Sequence, residues 1–188
     1  MRFFAVPTKG KMNMKRTNVR KLVVCSMIAA LYTAVSLALA PLTFGVIQMR
    51  LSEALGLLAV LSPVGVWGVT LGCLISNAVG VALGATMPPD IIFGTLATLI
   101  AAVLSYRLRN VRIKNIPVWS AVPPILVNAV IIGLELTFFF SNGFTMEIFL
   151  INALSVGLGQ IIPCAGLGLL LVYTLEKTGL DKKLFQDL

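Results

Sequence analysis

The chain contains no histidine, and its three cysteines, Cys25, Cys73 and Cys164, stand singly in apolar runs. Without paired spacing they make neither a metal site nor a disulfide framework, and they read as small core residues. Metal catalysis, a histidine base and a Ser/His/Asp triad therefore have no support. Charge is scarce too, at 12% of residues, with only seven acids. No Gly-x-x-x-x-Gly-Lys-Ser/Thr loop is present and no lysine occurs between Lys21 and Lys114. Nothing in the sequence can cradle ATP phosphates, and no cofactor is expected in this chain.

What remains is grease. Of the 188 residues, 58% are apolar, and the mean hydropathy is +0.97, values that belong to membrane proteins. Charges are absent from residues 22–49, 54–89, 91–106, 115–134 and 148–175, and roughly 20 apolar residues cross the hydrocarbon layer as a helix. The window 54–89 is too long for one helix and is broken at Ser62-Pro63, where proline lacks the amide a continuing helix needs. The expectation is an all-α polytopic membrane protein with six transmembrane helices, near 20–40, 51–62, 64–84, 90–107, 118–140 and 146–174. The first run is long enough to span and ends without a small-residue cleavage site, so it reads as a retained helix.

The basic residues set the expected orientation. Seven precede the first span (Arg2, Lys9, Lys11, Lys15, Arg16, Arg20, Lys21), four follow the fourth (Arg107, Arg109, Arg112, Lys114) and three follow the sixth (Lys177, Lys182, Lys183). In the six-span reading these share one side, which the positive-inside rule makes cytoplasmic, and only Arg50 lies outside. Residues 1–19 then form a basic cytoplasmic segment, 20–175 the membrane domain and 176–188 a cytoplasmic tail. The net charge of +8 flanks apolar spans, so it suits topology and anionic headgroups and gives no reason to invoke nucleic acid.

The same topology gathers polarity on one side. Glu53, Asp90, Glu135 and Glu147 fall in the outer half or at the outer surface, while Glu176, Asp181 and Asp187 belong to the tail. An ionisable group at membrane depth costs roughly 2.5–3.5 kcal/mol, so Glu135 needs a partner or a watery cavity. Asn128 precedes Glu135 by seven residues and Asn152 precedes Gln160 by eight, spacings that return to nearly one helical face; Asn77 adds an amide to the third span. Single amides of this kind can serve only as interhelical glue. Together with the acids of one leaflet they point to a binding pocket. Two loops could act as lids: Phe44 to Glu53, which carries Gln48 and Arg50, and Gly84 to Asp90. Small residues recur every fourth position, as Ser26, Ala30, Ala34 and Ala38 and as Gly68, Gly72, Ser76, Gly80 and Gly84, a pattern that allows close helix approach or docking of a partner.

Several of these segments carry a resemblance: Phe44-Gly45-x-Ile47-Gln48-x-Arg50-x-Ser52-Glu53-Ala54-Leu55, Gly72-Cys73-x-x-x-Asn77, Phe93-Gly94-Thr95-Leu96-Ala97-Thr98-Leu99, Asn128-Ala129-x-x-x-Gly133-x-Glu135 and Asn152-Ala153-x-Ser155-Val156-Gly157. Over residues 24–175 the chain resembles the S-components of energy-coupling factor (ECF) transporters, and among them the QueT family. The resemblance implies a six-helix capture subunit for a queuosine precursor, a 7-deazaguanine such as queuine or preQ1. It further implies a bacterial plasma-membrane location, a membrane scaffold (T-component) and two cytoplasmic ATPases as partners, with Ala30, Ala34 and Ala38 facing the scaffold. Glu53 or Glu135 would accept the base's N–H edge and Asp90 or the other glutamate its protonated amine. Asn77, Asn128, Asn152, Gln48 and Gln160 would read the remaining polar edges, with Phe44 or Phe93 against the ring. Two rivals compete with this reading. A stand-alone secondary transporter or channel would need coupling groups or a polar path deeper in the membrane, and a lipid-handling enzyme would need Glu53 or Asp90 as acid or base.

Overall fold

A computed structural model describes residues 9–43, 49–140 and 144–185. The described residues are helical and contain no strand. Helix α1 runs over Lys9–Ala38 and is followed by a single turn, α2, at Ala40–Thr43. Then come α3 (Glu53–Gly56), a 3-10 turn (Leu57–Val60), α4 (Pro63–Ala82) and α5 (Pro89–Leu108). A second 3-10 turn, Val118–Ala121, leads into α6 (Val122–Phe140). The last membrane element is continuous, from α7 (Met146–Gln160) through a π-helical stretch (Ile161–Gly168) to α8 (Leu169–Thr178), with the short α9 (Leu180–Phe185) behind it.

Helix limits follow local chemistry. Ser62 caps α4, accepting from the Val64 amide at 3.2 Å, and Pro63 fills its first turn, where a missing N–H costs nothing. Thr145 caps α7 through the Ile148 amide. Gly179, at φ +69°, ends α8 in the left-handed conformation that glycine tolerates best. The π stretch contains Pro163, which cannot donate to the preceding turn; widening the helix there accommodates the lost bond.

Five helical stretches are long and apolar enough to cross a membrane: Asn18–Ala38, Pro63–Ala82, Pro89–Leu108, Val118–Phe139 and Met146–Thr178. The sixth expected span, 51–62, takes the form of α3 and its 3-10 turn. That segment is too short to cross and is packed against α4, α5 and the π stretch, with Leu57, Leu58, Ala59 and Val60 all buried. Its apolar side chains face protein, not lipid.

Close approach explains how the helices pair. Added methyls at Gly68 and Gly72 of α4 would collide with Ile28 and Tyr32 of α1, at 2.8 and 2.7 Å, so only glycine lets these backbones meet. The α4 ribbon is therefore internal. Ala30, Ala34 and Ala38 lie elsewhere on α1 and are exposed. In the same way Gly133 of α6 seats Ala153 of α7.

The two ends of the bundle differ. At one end Arg112 donates to both carboxylate oxygens of Glu176 at 2.7 Å, and these hydrogen bonds raise the guanidinium's already high pKa further. Arg20 reaches the Lys183 carbonyl there, while Arg109 and Lys182 line a cavity of about 380 Å³. Basic residues from α1, the α5–α6 connection and the C-terminal helices thus converge on one end. Above it lies an apolar layer in which Leu57, Val60, Ala121 and Val172 pack together beside the cluster of Ile28, Leu58, Val66, Val69 and Ala102.

Candidate binding site in the polar half

The polar side chains form two tiers in the half away from the basic end. The upper tier centres on Asp90, in the first turn of α5. Its carboxylate takes Arg50 Nη2 at 3.3 Å and the Thr86 hydroxyl, and its backbone carbonyl takes Asn77 Nδ2 at 2.8 Å. Arg50 and Asp90 are both buried. A methyl on Gly94 would come within 2.6 Å of Asn77 Nδ2 and 3.1 Å of Arg50 Nη1, so glycine at this position admits the guanidinium and amide. Glu135, two-thirds of the way along α6, is buried on the helix that packs against α5. Only 4% of Glu135 is exposed, yet its Oε2 has no hydrogen-bond partner among the described residues.

The lower tier lies at mid-depth. Glu53 Oε1 accepts from the Tyr32 hydroxyl at 2.8 Å and from Thr98 Oγ1 at 3.1 Å. Thr98 is the midpoint of α5, eight residues past Asp90, or about 12 Å along the helix. Glu53 therefore sits deeper than the outer-surface loop expected from sequence, because the chain leading into α3 dips into the bundle. Cys73 joins the tiers: its thiol donates to the Gly94 carbonyl at 3.5 Å, while its sulfur lies 3.3 Å from Thr98 Oγ1 and 3.5 Å from Asn77 Nδ2.

Gln160 and Asn128 are at the same depth. Gln160, at the end of α7, accepts from the Cys164 thiol at 3.6 Å. Asn128 is 1% exposed, and neither its Nδ2 nor its Oδ1 meets a partner among the described residues. Ile132, between Asn128 and Glu135 on α6, packs on Ala97 and Val156 and forms an apolar wall between the tiers.

Of the residues singled out from sequence, the structure brings Arg50, Asn77 and Asp90 together, buries Glu135 on the adjoining α6, and sets Glu53 below them beside Thr98. Asn128 and Gln160 are buried at mid-depth. Asn152 is turned to a different use, donating to Thr137 Oγ1 at 3.1 Å and so joining α7 to α6. Phe93 is 37% exposed and meets Phe139 with ring centroids 6.2 Å apart. Phe44 and Gln48 lie outside the described residues. Tyr32, Cys73, Thr86 and Thr98 were not singled out as site residues, although Cys73 and Thr98 stand inside two of the matching motifs. A lone hydroxyl or thiol on an apolar helix looks like packing until its partner from another helix is known.

Three carboxyl groups, Glu53, Asp90 and Glu135, are thus buried, and of these Asp90 is ion-paired with the buried Arg50 guanidinium. The lower tier is rich in donors to its acid, whereas Glu135 and Asn128 have hydrogen-bonding capacity left unused. Buried polar atoms without partners each cost roughly 1–3 kcal/mol, and such groups concentrate where a ligand completes the set.

A family model described as QueT transporter matches residues 22–177. Among curated proteins, the queuosine precursor transporter QueT of Lactococcus lactis subsp. cremoris (strain MG1363) is 31% identical over 109 residues, covering 57% of this chain and 61% of the relative. The matched region thus spans less than two thirds of that relative's length. No solved structure matches the chain significantly.

Proposed function

The chain belongs to the QueT transporter family, and from that premise we propose that it is the substrate-capturing membrane subunit of an ECF-type importer for a queuosine precursor. The Lactococcus lactis relative is named for that class of solute, and a 7-deazaguanine matches the unused groups of the polar half. Its pyrimidine edge offers N–H donors that a carboxylate accepts in pairs, and its carbonyl accepts from an amide such as Asn128.

The observation that carries this reading is the pair Glu135 and Asn128, buried in the same half as the Arg50–Asp90 ion pair and keeping polar atoms without partners among the described residues, above an apolar layer of packed side chains. A protein polar on one side and sealed on the other has no continuous path for solute. It must move bodily or be moved by a partner. In this proposal residues 1–19 and 176–188 lie in the cytoplasm, the polar half faces outward, and a membrane scaffold with two ATPases provides the energy. The exposed Ala30/Ala34/Ala38 ridge of α1 is the surface offered to the scaffold, since small residues let another helix approach closely. The location is the bacterial plasma membrane.

Uptake of labelled base into proteoliposomes separates this from a stand-alone transporter. Chain plus scaffold and ATPases should accumulate base only with ATP inside the compartment that holds the ATPases, and the chain alone should accumulate none. Uptake by the chain alone would overturn the proposal.

A further inference from the structure

We propose that the groove between α1 and the C-terminal helices seats one anionic phospholipid, with an acyl chain lying along α1 and the phosphate among Arg20, Lys21, Lys182 and Lys183. None of these residues belongs to the polar half, so the site stands whichever solute the chain carries.

Shape is the first support. Where a membrane protein meets only bulk lipid, its apolar surface follows the convex outline of its helices. Here the surface turns inward, into a groove of about 620 Å³ whose lining residues are all apolar. Ile28, Leu58 and Phe185 are buried in it, whereas Met27 and Leu31 of α1 are 65% and 52% exposed. Leu171 and Leu175 of α8 and Leu184 of α9 line its other side. Along α1 the lining runs from Val24 to Ala34, about 15 Å of helix axis and half of the roughly 30 Å hydrocarbon layer. The groove is thus as long as one leaflet is deep, which is the length an acyl chain has to fill.

Charge is the second, and it stands at one end. Arg20 and Lys21 precede Val24 by four and three residues, so they share the face of α1 that lines the groove. Arg20 donates to the Lys183 carbonyl, bringing the start of the membrane span against α9 just before the lining residues Leu184 and Phe185. That bond uses one of a guanidinium's five N–H donors. Lys21, Lys182 and Lys183 are exposed. Nearby acids leave this charge in excess: Glu176 is held by Arg112, and Asp181 is one carboxylate against four cations. Cations at one end of an apolar trough one leaflet deep match a phospholipid, whose anionic headgroup meets basic side chains at the membrane surface.

A partner helix is the competing occupant, and a different surface suits it better. On the other side of Ala30 and Ala34, between α1 and α4, a second groove of about 510 Å³ is lined on α1 by Ser26, Ala29 and Thr33. Such small residues let helices approach closely. The groove beside α8 and α9 instead presents Leu31, Leu171, Leu175 and Leu184, and Arg20 ties α1 to α9 at its basic end.

The test is native mass spectrometry of the full chain after titration in mild detergent with phosphatidylglycerol or phosphatidylcholine carrying the same acyl chains. The wild type should retain one phosphatidylglycerol per chain, with about tenfold or greater preference over phosphatidylcholine. K182Q/K183Q, altered only at exposed positions, should lower that preference to about twofold or less. M27W/L31W, which fills the groove from its exposed side, should lose the retained lipid, and L154W on the exposed face of α7 should keep it. Equal retention of both lipids by the wild type would overturn the proposal, as would an unchanged preference in K182Q/K183Q. Undiminished retention by M27W/L31W would overturn it too; if that variant also failed to co-purify with the membrane scaffold, the groove would belong to a partner helix. A wild-type spectrum of paired chains without lipid would assign it to a second copy of this chain.

Discussion

The two halves of this bundle are built from the same kinds of helix, yet their interiors follow opposite rules. In the half near the basic end, Leu57, Val60, Ala121 and Val172 fill the space between helices and leave no charge in their cluster. In the other half Arg50, Asp90, Glu135 and Asn128 are equally buried, and Glu135 and Asn128 keep polar atoms without partners among the described residues. A fold optimised only for stability would treat both halves alike. The contrast is what the proposed function rests on: one half is packed as a wall, and the other keeps buried polar groups that a ligand would complete.

The largest expected effect comes from breaking the ion pair of the polar half. Asp90→Ala strands Arg50 in a buried site and should lower stability by about 3–5 kcal/mol, read as an earlier unfolding transition in detergent. Gly94→Ala presses on Arg50 and Asn77 from the same helix, and an overpacking cost of about 1–3 kcal/mol should appear with weakened base binding. A comparable loss from Gly72→Ala, in the α1–α4 seam, should leave the affinity of the folded fraction unchanged. If both glycine variants lost affinity equally, the two halves would not be functionally distinct.

Asn128→Leu sharpens the comparison most, because stability and function should move in opposite directions. Removing an amide that lacks partners should stabilise the ligand-free protein by about 1–2 kcal/mol while weakening base binding. Glu135→Gln should weaken binding at least tenfold, about 1.4 kcal/mol, in the same titration. The smallest effect on the isolated chain belongs to Ala34→Leu on exposed α1: stability and base affinity should stay as they are, and co-purification with the scaffold should be lost.

Much of the contrast was legible before any coordinates. Ser62-Pro63, Pro88-Pro89 and the charge-free windows mark the helix ends, because proline and charge act locally and need no tertiary partner. Positions of Asn128 and Glu135 on one face follow from helical periodicity alone. The segment 51–62 was harder, since hydropathy counts apolar residues without distinguishing those facing lipid from those facing protein, and Leu57 to Val60 face protein. The depth of Glu53 was equally hidden: it depends on Tyr32, 21 positions back, and Thr98, 45 positions on. Arg50 with Asp90 and Asn152 with Thr137 are likewise long-range pairings, and sequence offers the types of residue but not which will meet. The same limit made Cys73 look like simple core filling, when its sulfur and thiol sit among Thr98, Asn77 and the Gly94 carbonyl.

The most direct test of the claim that the polar half awaits a ligand is titration of the purified wild-type chain with 7-deazaguanine bases. The account predicts saturable binding of one base per chain, with guanine and riboflavin far weaker. Absence of binding by queuine and by the aminomethyl and cyano bases, up to millimolar concentration and with the chain shown to be folded, would contradict it.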